Sequence, residues 1–130
     1  MMNDPKSIVL NNLDIRVDEV PPRGLLATWR KMRRRVVISD GQFSLGFHYQ
    51  ELFKLCDGPI LIEADRDSQP PGDYFLVSPE VIVADSAVGE ALQGMAFAEG
   101  TLLLLEGERI IAELSPDDCQ LLCSWLKEQA

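Results

Sequence analysis

The sequence predicts an α+β fold: an antiparallel, curved or partly closed sheet of short hairpin-connected strands, with a C-terminal amphipathic helix packed on it. Three observations carry this. Short runs of alternating or continuous apolar residues are joined by turn pairs, namely Asn11-Asn12, Asp40-Gly41 and Gly107-Glu108. The last segment has helical spacing and opens with Ser115-Pro116-Asp117-Asp118. The regular alternation of strand and helix that marks a parallel sheet is absent.

Residues 7–10 and 13–18 alternate apolar and polar about Asn11-Asn12, a pair that tolerates positive φ. Pairing about that turn sets Leu10 opposite Leu13 and Ile8 opposite Ile15, all on one face. Val20-Pro21-Pro22 ends the strand, because proline lacks a ladder donor. Residues 24–35 suit either periodicity; Leu25, Leu26, Trp29, Met32 and Val36 favour a short helix. Residues 36–39 and 42–49 flank Asp40-Gly41, and pairing about it sets Ile38 against Phe43 and Val36 against Leu45. Phe43, Leu45 and Phe47 then line a buried face, with His48 pointing the other way.

Tyr49, Leu52, Phe53 and Cys56 follow at helical spacing and stop at Gly58-Pro59. Residues 60–64 read as a strand and residues 65–72 as a polar loop. Residues 74–77 and 81–84 are strand candidates about the turn Ser78-Pro79-Glu80. Residues 86–94 suit a weak helix burying Val88, Ala91 and Leu92, although Gly89 and Gly94 each cost about 1 kcal/mol relative to alanine. Residues 101–106 and 109–113 form a hairpin with Glu106 opposite Arg109. Its four consecutive leucines imply burial on both faces and a central place in the sheet. In the last helix Ser115 is the cap, Pro116 takes the first turn and Leu114 staples onto Cys119. Cys119, Leu122, Cys123 and Leu126, widened by Leu121 and Trp125, form the docking stripe.

The 130 residues match one domain, with 46% apolar and 25% charged residues, the mix of an ordinary globular protein. No apolar run approaches the length of a membrane span, and residues 1–10 lack a signal-peptide pattern. Three cysteines without regular spacing make no disulfide framework, so the cytoplasm is the expected location. The net charge of −9 opposes nucleic acid and anionic membranes.

That charge is unevenly spread. Of 12 basic residues, five fall in one run, Arg30, Lys31, Arg33, Arg34 and Arg35, against 21 carboxylates along the chain. Clustered guanidinium groups bind phosphates and carboxylates in bidentate fashion, so this run is the candidate anion site. The competing reading is that the arginines pair with the chain's own carboxylates on its surface.

Other constellations are weaker. Glu63, Asp65 and Asp67 alternate at a strand end, with Asp73 returning after the loop, but an acidic loop is the favoured reading over a metal site. His48, Cys56, Cys119 and Cys123 have the ligand count of structural zinc without its spacing. His48 with Cys56 or a serine has no nucleophile signature around it. A hydrolase built on two of Glu51, Glu63, Asp65 and Asp73 would show itself as a closed pocket. No catalytic residue, cofactor or metal is therefore expected. The sequence favours a non-enzymatic interaction protein with a protein partner; the alternative is an anion- or nucleic-acid-binding domain using the basic run. No membrane partner is expected, and self-association is compatible with the sequence.

Overall fold

A computed structural model describes residues 7–20, 33–65, 68, 72–82, 90 and 92–130. Among these described residues eight strands form two antiparallel four-stranded sheets, neither of them closed. The first contains β1 (Ser7–Leu10), β2 (Leu13–Val20), β3 (Arg33–Ser39) and β4 (Ser44–His48) in that order. The second contains β5 (Leu61–Glu63), β6 (Tyr74–Val77), β7 (Leu102–Glu106) and β8 (Arg109–Leu114), again in chain order. Between the sheets lie α1 (Tyr49–Phe53) and a 3₁₀ turn, Lys54–Asp57; α2 (Pro79–Ile82) follows β6, and α3 (Pro116–Gln129) ends the chain. This is the α+β, hairpin-built antiparallel class with a C-terminal helix that the sequence predicts. Its strands are divided between two sheets, and the helical segment 49–57 connects β4 of the first to β5 of the second.

The β1–β2 hairpin has the predicted register, Leu10 opposite Leu13 and Ile8 opposite Ile15, with Asn11 and Asn12 at φ 49° and 65°. The next hairpin differs. Ile38 faces Leu45 and Val36 faces Phe47, two residues from the expected pairing. The Asp40 carboxylate accepts from the amides of Gln42 and Phe43, at 2.8 and 3.1 Å, and so moves the turn centre onto Gly41-Gln42, with Gly41 at φ 94°. A shift of two keeps every side chain on its face, so Phe43, Leu45 and Phe47 are still buried and His48 exposed.

Three further expectations are corrected. Arg33, Arg34 and Arg35 belong to β3 and not to a helix, since they pair with Val20, Glu19 and Asp18; residues 24–32 lie outside the described residues. The strand expected at 81–84 is helical at Val81 and Ile82, where the Val81 amide donates to the Ser78 carbonyl at 2.9 Å after Pro79. Of the β7–β8 hairpin only β7 is interior; β8 is the sheet edge, with Arg109 and Glu113 exposed. Most of the helix expected at 86–94 lies outside the described residues, although Leu92 is buried.

The four leucines of β7 do face both ways. Leu102 and Leu104 enter the main core with Ile15, Val36, Ile38, Leu45 and Phe47 of the first sheet, while Leu103 and Leu105 join Val77, Ile82 and Leu92 on the other side. The helix α3 is capped by Ser115, whose hydroxyl accepts from the Asp118 amide at 3.2 Å, and it buries Cys119, Leu122, Trp125 and Leu126 in the main core. Leu121 is 53% exposed, contrary to its expected place in the stripe. It lies on the flank of α3 that meets solvent, whereas Cys123 lies on the flank that meets the Lys54–Asp57 turn.

Candidate functional site

The basic run reaches the described residues at its C-terminal half. Arg30 and Lys31 lie outside them; Arg33, Arg34 and Arg35 open β3. Strand alternation divides these three between faces. Arg34 shares the face of Val36 and Ile38, and Arg33 and Arg35 share the other.

Each is engaged within the chain. Arg35 sits opposite Asp18 in the β2–β3 register, with Nε 2.9 Å from Oδ1 and Nη2 3.1 Å from Oδ2, a bidentate pair. Its side chain lies over Gly46, where an added Cβ would come within 2.8 Å of the Arg35 Cδ. Arg33 Nη1 donates to the Asp65 carboxylate at 2.9 Å, and that carboxylate is only 7% exposed. Asp65 is fixed from behind by its amide, which donates to the Gly46 carbonyl at 2.6 Å. Arg34 stacks 4.2 Å over the Tyr49 ring and donates to the Gln129 carbonyl at the C-terminal end of α3, the negative end of the helix dipole. The Tyr49 hydroxyl donates to the Leu126 carbonyl. Burial raises the Tyr49 pKa, and the adjacent Arg34 charge pulls it back in part.

Beside Arg33 opens a cleft of about 490 Å³ lined by His48, Glu51, Leu61, Glu63 and Asp65 among others. His48 ends β4, Glu51 stands in the first turn of α1, and Glu63 ends β5. With Asp65 engaged by Arg33, the exposed carboxylates of Glu51 and Glu63 have no ion-pair partner among the described residues. The cleft holds three of the four carboxylates considered for a hydrolase, but it is open to solvent and His48 makes no hydrogen bond to a hydroxyl or thiol among the described residues. Among the described residues no three His, Cys, Asp or Glu side chains are grouped to hold a metal ion. Asp67 lies outside them. No helix among them is long and apolar enough to cross a membrane.

Leu61 also lines a second hollow of about 130 Å³ on the outer face of the second sheet, together with Phe75, Val77, Val81, Ile82 and Leu105. A cavity of roughly 150 Å³ accommodates a benzene-sized group, so this hollow matches one apolar side chain. Leu61 is itself 55% exposed. An apolar socket and an acidic cleft therefore adjoin through one residue. Sequence reading singled out Glu51, Glu63 and Asp65 but missed Leu61. The signal available was its alternation with Glu63, which places both on one face of β5.

No protein-family model, curated protein or solved structure matches the chain.

Proposed function

We propose that this chain is a non-enzymatic interaction protein whose partner is a protein presenting an aliphatic side chain beside a basic one. The observation that carries the reading is the place of Leu61, which joins the apolar hollow to the cleft holding Glu51 and Glu63. Interfaces concentrate affinity in an apolar anchor seated in a pocket and draw orientation from the charged rim. The net charge of −9 adds long-range attraction for a basic partner. Three free thiols support a reducing compartment such as the cytoplasm.

The alternative reading is an anion or nucleic-acid site at the basic run. Its support is the concentration of positive charge in the sequence. A phosphate at Arg33 or Arg35 would have to compete with the carboxylates of Asp65 and Asp18.

A displayed random peptide library, panned on the purified chain, tests both. The interaction reading expects enriched peptides with an aliphatic residue next to Lys or Arg. Their binding should be abolished by Leu61→Asp and weakened at least tenfold by the Glu51→Lys, Glu63→Lys double substitution. Binding unaffected by these changes overturns it. Steeply salt-dependent binding of single-stranded DNA, lost on replacing Arg33, Arg34 and Arg35, would favour the alternative.

A further inference from the structure

Away from that site, all three cysteines line one groove of about 670 Å³ between the Lys54–Asp57 turn and α3. Cys119 is buried and its thiol donates back to the Leu114 carbonyl at 3.8 Å. Cys56 and Cys123 are each partly exposed. The Cys56 thiol lies 3.8 Å from the Cys123 carbonyl oxygen, so the turn carrying Cys56 packs against α3 at Cys123 itself. Two partly exposed cysteines on different elements thus line one open groove.

We propose that Cys56 and Cys123 form a reversible disulfide when the protein meets hydrogen peroxide or an alkyl hydroperoxide. The Cys56 thiolate attacks the peroxide oxygen, breaking the O–O bond and leaving a sulfenic acid on Cys56 and hydroxide, or the alkoxide of an alkyl hydroperoxide. The Cys123 sulfur then attacks the Cys56 sulfur and its proton leaves with the hydroxyl as water. Two thiols are oxidised, and hydrogen peroxide is reduced to two waters.

The order of the steps follows from the surroundings. Burial holds the Cys123 thiol protonated, with its pKa pushed up to about 12, and contact with Cys56 and the charges of Cys56 and Cys119 add to this, against a lowering by Lys127. Cys123 is thereby disfavoured for the first attack, which falls to Cys56 on the other wall of the groove. Ring closure requires the Cys123 proton to leave, so it accelerates as pH rises. The sulfurs must close to about 2.05 Å, and the two elements that carry them pack directly together.

Peroxide treatment of the full chain, followed by alkylation, digestion and mass spectrometry, is the test. The expected result is protection of two of the three thiols, a linked Cys56–Cys123 peptide pair with a loss of about 2 Da, and full recovery with dithiothreitol. Cys119→Ser should leave that linkage intact, and Cys123→Ser should leave a Cys56 sulfenic acid that dimedone traps. A Cys119–Cys123 bridge, an interchain bridge, Cys56 sulfinic acid beside an alkylatable Cys123, or three unreacted thiols would each overturn the proposal. The wild-type peptide map decides this even where a variant fails to fold.

Discussion

Arg35 and Asp18 face each other directly across β2 and β3 and are joined by two hydrogen bonds, while the stem of Arg35 occupies the space above Gly46 on the neighbouring strand. One arginine therefore ties three strands together, and the absence of a side chain at position 46 is what lets it do so. Gly46→Ala should destabilise the protein by about 1–3 kcal/mol, the usual cost of overpacking. In an Arg35→Ala background the same change should cost markedly less, because the atoms it meets are gone. Urea unfolding of the four proteins measures the difference, and additive costs would refute the close approach as the cause.

The exposed and buried leucines of the second sheet should separate cleanly. Leu104 is 2% exposed in the main core, and Leu104→Ala should cost about 2–5 kcal/mol. Leu61 is 55% exposed, and Leu61→Ser should change stability by no more than about 0.5 kcal/mol. Chemical denaturation of both variants checks this, and the same measurement on Leu61→Asp separates its loss of peptide binding from loss of the fold.

Ser115→Ala removes the acceptor of the Asp118 amide and should cost about 1 kcal/mol, with Ser115→Asp close to wild type. A fall in thermal midpoint for alanine but not aspartate is the expected reading.

Stability should fall in alkali. The Cys119 pKa is pushed up to about 11 from an ordinary 9.0, first by burial and then by the charge of Asp118. A folded pKa above the unfolded one means that, once pH passes the unfolded value, the unfolded chain gives up its proton first. The contribution is whole below about pH 9 and is lost as pH climbs through the folded value. Cys123 and Tyr49 are raised in the same direction and add to the loss. Urea midpoints taken from about pH 8 to about pH 11 should decline, and Cys119→Ala should flatten part of that slope.

Local chemistry was legible in the sequence wherever it depends on residues near one another in the chain. The Asn11-Asn12 turn, the two-faced leucines of β7, the Glu106–Arg109 pair and the Ser115 cap all follow from side chains within a few positions, and the structure has them as read. The β3–β4 register was misplaced by two residues because the carboxylate of Asp40 bonds the turn amides, a choice that the Asp-Gly pair alone does not reveal.

The fold class, the hairpin order and the capped terminal helix were thus determined by the sequence itself, since periodicity and turn chemistry act over a few residues. The division into two sheets, the engagement of Arg33 by Asp65 and of Arg34 by the end of α3, and the junction at Leu61 were decided only by the tertiary structure. Arg33 and Asp65 are 32 positions apart, and Arg34 and Gln129 are 95 apart. Pairings at such separations come about when packed sheets and helix bring distant segments together, and no local preference of either residue encodes them.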